Sequence, residues 1–568
     1  MNGGFMKKII IAALIITLVA PLSVFGSKLE DNFRELSSEI LENLQSFYPV
    51  LSTERGIHKY DYRFADYSRK SVRDEISRLK KFETRLYKYN KSNLSSKSRI
   101  NLKLLKSNVD IALQNLSKIN WHKKNPYIYV NDAVNGIYLI LASEYAPLDV
   151  RVQNIIARMK GVPDLFKQAT ANMEHPPPIY ISMAKEMLST GIDFYKTAQS
   201  ELAGEFPELA GEINTASARA IAAMQEFQQF LDTVEPGEPG SFAIGKQDFD
   251  YKLEHEYFLD YDSDSLLKLG EALFEKAKND YDEYLARLDS TKPVNDSVFV
   301  IDCITREDVL NYYNWEVAQT KIFLKENDIV TIPDDIGHCE VIETPPFLRN
   351  VVSSIAYQPP GVFSPEQTGH FYVRPIPDDM DAGQREARYK YIERRGFKGS
   401  VVHEAYPGHH LQFEMAARVT DSVLKWQENP CLYEGWALYC EEMMYNNGFY
   451  ENDTRQYLNI LDGILFRAAR IIVDVKLHTG QMTLDEAVNW MAGELDSDTT
   501  WIRVEVNRYT LSPTIQMSYL IGKLEILKLR DALMKKEGDA FSLKEFHDRL
   551  LSEGSLPPRI LWEVWSLE

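Results

Sequence analysis

The residues best equipped for chemistry sit together in His403-Glu404-Ala405-Tyr406-Pro407-Gly408-His409-His410-Leu411-Gln412. This stretch holds three of the chain's eleven histidines and a carboxylate beside the first of them. Imidazole nitrogens bind transition metals, and a neighbouring glutamate can take a proton from water. The usual helical form of that pairing is His-Glu-x-x-His, in which i and i+4 side chains converge on one zinc ion. Here the second histidine arrives at i+6 or i+7. On an unbroken helix i+6 lies about 240° around the axis and i+7 lies about 10.5 Å along it, so neither converges with His403. A metal site therefore requires the helix to break between the histidines. Pro407 lacks the N–H that would bond to the His403 carbonyl, and Gly408 accepts backbone angles that other residues avoid, so a break is expected there. One straight helix from His403 to Gln412 would exclude the site.

A catalytic zinc takes three protein ligands and keeps an open position for water. Downstream lies Leu432-Tyr433-Glu434-Gly435-Trp436-Ala437-Leu438-Tyr439-Cys440-Glu441. Glu434 follows His409 by 25 residues, enough for one helix to end and a second to return antiparallel. Its flanks are too apolar for a solvated helix face. Glu441 comes seven positions later, nearly on the same face two turns on, and suits a carboxylate that orients a ligating histidine.

These two stretches together resemble the bacterial domain-of-unknown-function 885 family, which is grouped with zinc metallopeptidases of the gluzincin type. Glu434 to Glu441 is also similar to the segment that supplies the third ligand in gluzincin aminopeptidases. The resemblance runs over nearly the whole mature chain. Phe242-Ala243-Ile244-Gly245-Lys246, Thr344-Pro345-Pro346-Phe347-Leu348 and the stretch Arg467–His478 are further landmarks. It implies His403, His409 and Glu434 as ligands of one Zn2+ per chain and Glu404 as the general base. It favours His409 over His410. One departure stands out: the family's Pro-Gly-Gln near the C-terminal tyrosine reads Pro513-Thr514-Ile515-Gln516 here.

Attack on a peptide carbonyl creates an oxyanion that needs a hydrogen-bond donor besides the metal. Tyr519 is the first candidate, with His478 and Tyr509 behind it. Arg470 and Asp474 lie four apart on one expected helix and can pair, or Asp474 can support a ligand histidine. Arg508 can receive a substrate carboxylate bidentately, which would favour a carboxypeptidase.

The elements that must position these groups read as mainly α. Apolar residues recur at three- and four-residue spacing over Leu29–Phe47, Ser71–Tyr89, Ser96–Ile119 and Ile179–Leu202, with Ser71 and Ser96 as expected N-caps. The run Glu235-Pro236-Gly237-Glu238-Pro239-Gly240 marks the expected boundary between an N-terminal helical region (27–235) and a catalytic one (236–568). Asp264–Arg287 and Arg306–Phe323 again read as helices. Within about 329–376 the texture turns Pro-rich and β-rich, including Val351–Tyr357 and His370–Val373. A small sheet or hairpin is expected there, whose exposed edge would suit an extended peptide. From Arg385 onward the pattern is helical.

Composition narrows the partners. Hydrophobic residues make up 44% of the chain and charged residues 26%, as in an ordinary folded protein. The net charge of −19 argues against nucleic acid and anionic membrane surfaces, which need clustered Lys and Arg. Lys7-Lys8, the apolar run Ile9 to Phe25 and the small-residue site Val24-Phe25-Gly26 read as a signal peptide (1–26). Export to the periplasm or medium, with no stable membrane insertion afterwards, is the expectation. A lipid anchor is not expected, because no cysteine follows the apolar run. Cys303, Cys339, Cys431 and Cys440 are expected as buried thiols. The sequence thus describes an exported, multi-helical zinc metallohydrolase, most simply a peptidase of short peptides. A metal-dependent amidase of another substrate and an inactive helical scaffold are the alternatives.

Overall fold

The structure, a computed structural model, describes residues 28–90, 93–288, 305–349, 352, 354–377, 380–386, 389, 398–450 and 454–567. Helices of six residues or more are numbered. The N-terminal part comprises α1 (28–47), α2 (Pro49–Glu54), α3 (Arg69–Tyr87), α4 (Ser96–Gln114), α5 (Pro126–Ala142), α6 (Leu148–Asn172), α7 (Pro178–Glu205) and α8 (Ala210–Thr233). Then follow α9 (Lys246–His255), α10 (Ser263–Arg287) and α11 (Arg306–Glu326). The C-terminal part comprises α12 (Lys398–Glu404), α13 (His409–Ala417), α14 (Pro430–Asn446), α15 (Thr454–His478) and α16 (Leu484–Glu494). It ends with α17 (Thr499–Tyr509), α18 (Ser518–Glu537), α19 (Leu543–Ser552) and α20 (Pro558–Val564).

The fold is mainly α with a small sheet, as the periodicity indicates. Helix starts follow the chemistry of orphan N–H groups, although two caps differ from expectation. Ser68 rather than Ser71 caps α3, accepting from the Ser71 N–H, and Ser95 rather than Ser96 caps α4, accepting from the Ser98 N–H. In both cases the cap lies just before the first periodic residue, outside the apolar pattern that sets the reading.

The β-region is a three-stranded mixed sheet rather than a hairpin. Its strands are β1 (Cys339–Glu343), β2 (Ile355–Gln358) and β3 (Gly369–Val373), in the order β1-β3-β2. β3 is parallel to β1, with Glu340 opposite His370, and antiparallel to β2, with Tyr357 opposite Phe371. β1 was not expected from the sequence; Cys-Glu-Val-Ile-Glu is too short and too acidic to stand out by propensity.

Two cores organise the helices. One runs from Phe33 to Trp565 and takes residues from both sides of 235–240, so this core is not confined to the N-terminal region, although the helices flanking the Pro-Gly run, α8 and α9, bury into different cores. The other is built on α9, α10 and α15 to α18, with Phe249, Leu266, Ile471, Ile502 and Met517 among its buried residues. Helix α14 is wedged between them. Leu432, Trp436, Tyr439 and Met443 enter the first core, and Cys431 and Leu438 enter the second. A helix buried on both sides must be apolar all round. This accounts for the composition that set Glu434 and Glu441 apart.

Cys339, Cys431 and Cys440 are buried and free; Cys303 and the expected signal peptide lie outside the described residues. Among the described residues no helix is long and apolar enough to cross a membrane.

Candidate metal centre

The helix does break where a metal site requires it. α12 ends at Glu404 and α13 begins at His409. Between them the Gly408 N–H donates to the Val402 carbonyl at 3.0 Å, and the Leu411 N–H donates to the Ala405 carbonyl at 3.4 Å. Both span six residues where a regular helix spans four, so the two surplus residues are absorbed in one widened turn. Gly408 lies so close to this turn that an added Cβ would fall 2.5 Å from the His403 carbonyl carbon. No side chain fits there. The bulge is also tied from outside, because the Trp436 indole N–H donates to the Pro407 carbonyl at 2.7 Å.

This turn brings the His403 and His409 rings to a centroid separation of 4.8 Å, nearly perpendicular. The third member comes from near the start of α14. Glu434 Oε2 lies 3.2 Å from His409 Nε2 and 3.6 Å from His403 Nε2. All three ligand atoms fall within 4.8 Å of one another. Bonds of about 2.0–2.1 Å in a tetrahedron place ligand atoms roughly 3.3 Å apart, so the spacing suits a zinc-sized ion.

The protonation pattern points the same way. His403 Nδ1 lies 2.8 Å from Glu441 Oε1, a carboxylate that can only accept, so Nδ1 carries a proton. The other nitrogen, Nε2, faces Glu434 Oε2 at 3.6 Å, and Oε2 is buried without a hydrogen bond. An imidazole held between two carboxylates in a buried site calls for positive charge there, which a proton on Nε2 or a metal ion in its place supplies. Burial opposes a charge on His403, but the Glu434, Glu441 and Glu404 carboxylates push its pKa up to about 10. The same field attracts a metal ion. Glu434, despite its burial, is held well below the usual carboxylate range by His409 and His403. The donor set of two imidazoles and one carboxylate, with a second carboxylate behind one imidazole, therefore fits zinc.

The remaining expected residues divide into those the fold brings to this group and those it does not. Glu404, His403, Glu441, Arg508 and Tyr519 all line one cleft of about 340 Å³, together with Ile355 of β2, Arg467, Arg470, Trp501 and Glu505. Burial pushes the Glu404 carboxyl up, with His403 and His409 opposing and Glu434 adding. The Tyr519 ring lies nearly parallel to His403 at 6.4 Å. Burial and the Glu434 carboxylate raise its hydroxyl, so it stays a donor at neutral pH. Glu441 orients His403 and is itself held by Arg467 Nη2 at 3.5 Å. Gly435 and Gly522 let α14 and α18 touch: a Cβ on Gly435 would meet Gly522 Cα at 2.7 Å. Glu434 and Tyr519 therefore sit on backbones in direct contact.

His410 is placed elsewhere. It is fully buried, with Nδ1 2.7 Å from the Tyr357 hydroxyl and Nε2 3.1 Å from the Gly337 carbonyl, so both ring nitrogens are occupied in tying α13 to the sheet. His478 is a correction. It sits two turns past Arg470 in the second core, between Phe242 and Phe249, and donates to the Tyr509 carbonyl at 3.0 Å. Burial pushes its pKa down to about 4. Tyr509 is also withdrawn from the cleft, buried with its hydroxyl on Glu505 at 3.2 Å. Asp474 supports no ligand histidine and no hydrogen bond to Arg470. It accepts the Thr514 and Met517 N–H groups at 3.1 and 3.4 Å and shapes the 513–517 loop.

Arg467, Glu505 and Trp436 belong to the site without having been singled out from the sequence. The spacings Arg467-x-x-Arg470 and Glu505-x-x-Arg508, each three apart on one helix, carry the signal that could have found the first two. A larger cavity of about 620 Å³, among Tyr48, Tyr67, Asn131, Asp132, Trp426 and Glu428, contains none of the three ligand residues. The chemistry is therefore assigned to the smaller cleft.

The fold is shared with solved structures. A protein from Shewanella oneidensis described as a lipoprotein of unknown function superposes with a TM-score of 0.75 at 21% identity, covering 94% of this chain and 100% of that one. A protein from Colwellia psychrerythraea, described as a lipoprotein, gives 0.76 at 18% identity, covering 94% and 99%. No curated protein matches. The family described as bacterial protein of unknown function (DUF885) matches residues 49–564, and the chain belongs to that family.

Proposed function

We propose that this chain is an exported zinc-dependent peptidase that hydrolyses short peptides. The observation that carries the reading is the His403–His409–Glu434 group, whose three ligand atoms converge within 4.8 Å, set beside a cleft that holds Glu404 and Tyr519. His403, His409 and Glu434 would hold the ion. Bound there, zinc would supply Lewis acidity and bring the pKa of water toward about 7. Glu404, buried and with its pKa raised, is suited to take the proton from attacking water and pass it to the leaving amine. The Tyr519 hydroxyl is suited to donate to the developing oxyanion. Glu441 fixes the tautomer and orientation of His403.

Two features favour a peptide over another amide. Among the described residues β2 is an edge strand, paired to β3 alone, and its Ile355 borders the cleft. An extended substrate can add there by main-chain hydrogen bonds. Export is supported by the basic and apolar N-terminus and by the lipoprotein descriptions of the two structural relatives.

The test is metal content by mass spectrometry paired with peptide digestion. Wild type should carry about one zinc per chain and cleave peptides, and Glu404→Gln should keep the zinc and lose cleavage. Protein that purifies without metal and cleaves peptides regardless of chelator would sink the reading. So would a metal-loaded wild type that leaves a broad peptide mixture intact.

A further inference from the structure

Resting on the peptidase reading, we propose that Arg470 and Arg508 form a carboxylate subsite that binds the C-terminal carboxylate of the substrate, making the enzyme a carboxy-terminal exopeptidase. The two guanidinium groups line the same cleft and lie in each other's field. They share one carboxylate, Glu505, which Arg508 Nη2 contacts at 2.7 Å. The Tyr509 hydroxyl takes part of that carboxylate as well. Arg470 hydrogen-bonds to a neutral acceptor, the side-chain oxygen of Gln516. Asp474, four residues along α15, spends its oxygens on the N–H groups of the 513–517 loop. The third arginine of the cleft, Arg467, is paired with Glu441, and Glu404 stands beside the metal ligands, so this part of the wall sets Arg470 and Arg508 against Glu505 alone. Buried charges are ordinarily paired, and a surplus cation facing a cleft is suited to an incoming anion.

Geometry says which anion. Arg508 is 26% exposed at its side chain, and among the described residues its Nη1 and Nε carry no hydrogen bond, so either edge of the guanidinium keeps a donor for a carboxylate beside the Nη2 that Glu505 shares. The Arg470 guanidinium carbon stacks 4.0 Å from the Tyr519 ring centroid, and that centroid lies 6.4 Å from the His403 ring. The cationic wall therefore begins no more than about 10 Å from a metal ligand. At roughly 3.3–3.6 Å per extended residue, a carboxylate held there would lie only one to three residues from the hydrolysed bond. A carboxylate on an acidic side chain offers the same chemistry, and the test separates the two sources.

The experiment uses the Glu404→Gln protein, zinc-loaded, so that binding is read without turnover. Trp501 in the cleft wall reports binding by fluorescence. The probes are Ala-Ala-Ala, its C-terminal amide, and Ala-Ala-Glu amide. The free acid should bind on the order of 10–100-fold more tightly than either amide, and Arg508→Gln in the same background should collapse that preference. Arg508→Lys should restore part of it, with circular dichroism confirming the fold of each variant. Equal binding of acid and amide, no binding of either, or a preference untouched by Arg508→Gln would overturn the proposal. Tight binding of Ala-Ala-Glu amide would overturn the exopeptidase assignment in favour of an acidic side chain. Acid-selective binding by a protein whose wild type cleaves no peptide would retain the subsite and defeat the peptidase reading instead.

Discussion

Replacing Gly408 by alanine tests how the metal centre is built. The added Cβ would fall 2.5 Å from the His403 carbonyl carbon and would also meet the carbonyl oxygens of His403 and Val402. Carbon atoms pack at roughly 3.5–4.0 Å, so the turn must open by about 1 Å. Every atom in the way is main chain, and no rotamer change relieves the clash. Overpacking of this kind costs about 1–3 kcal/mol. Unfolding entropy of roughly 2.1 cal/mol/K per residue means that this chain shifts its Tm by only about 1 °C per kcal/mol. The melting curve is therefore the insensitive readout. Metal binding is the sensitive one, because ligand positions must hold to about 0.2 Å and the displaced carbonyl belongs to His403 itself. The expected outcome is a Kd for zinc raised by about 100-fold or more, measured by chelator competition, with Tm lowered by a few degrees. Gly493, exposed near the end of α16 with nothing within 4 Å of a Cβ, is the control. Gly493→Ala should leave zinc affinity alone and stabilise by up to about 1 kcal/mol. A Gly408→Ala protein with wild-type zinc affinity would refute the claim that the widened turn sets the ligand geometry.

Other substitutions separate binding from folding. His409→Ala should abolish zinc binding while leaving the metal-free protein folded. His410→Ala should keep zinc and cost about 2–4 kcal/mol, since it removes two buried hydrogen bonds and a fully buried ring; the reverse pattern would reassign the ligand. Glu441→Gln should weaken zinc about 10–100-fold by loosening His403, read by the same competition assay. The pH dependence follows from Asp132, Glu414 and Asp474, each pushed up to about 7 with burial as the largest cause. A carboxyl whose pKa is raised by folding binds more protons folded than unfolded, so its stabilising effect is full below about pH 4 and is lost as pH climbs through 7. Denaturant midpoints should therefore fall between pH 5 and pH 8. Asp132→Asn should flatten that slope by up to about 1.4 kcal/mol per pH unit, and an unchanged slope would remove Asp132 from the account.

What the sequence discloses and what it hides follow from the range of the interactions. The need for a break at Pro407-Gly408 was legible because helix geometry is local, and so was the pairing of Glu434 with Glu441 on one face. His403 spans that pair: its two ring nitrogens face carboxylates two turns apart on α14, at 3.6 and 2.8 Å. The role of Trp436 was hidden, because its partner, the Pro407 carbonyl, lies 29 residues back and a backbone acceptor leaves no mark in composition. Gly435 was hidden for the same reason; its necessity comes from Gly522 on another helix. His478 misled the reading. A histidine at a helix end looks available in sequence, and only packing against Phe242 and Phe249 shows it to be enclosed. β1 was missed because its pairing with β3 crosses about 30 residues and its own propensity is weak.

The departure at Pro513-Thr514-Ile515-Gln516 ties local backbone to the cleft. Thr514 has φ +71, a left-handed conformation that a β-branched residue adopts at a cost of about 1–3 kcal/mol. The surroundings hold it there. Its N–H donates to Asp474, its hydroxyl lies 3.4 Å from the Tyr257 hydroxyl, and the side chain is fully buried. The loop it shapes delivers Gln516 to Arg470, which in turn stacks on Tyr519. Thr514→Gly removes the backbone cost and keeps the N–H to Asp474, but it loses two buried carbons worth about 1.6 kcal/mol and the hydroxyl's contact with Tyr257, and it leaves the unfolded chain freer. The terms nearly offset, so a change within about 1 kcal/mol is expected in chemical denaturation, with zinc affinity and the carboxylate preference intact. A loss of several kcal/mol would show that the Thr514 side chain, and not the loop backbone, holds Gln516 against Arg470. The same loss accompanied by a weakened carboxylate preference would make Thr514 a determinant of the subsite.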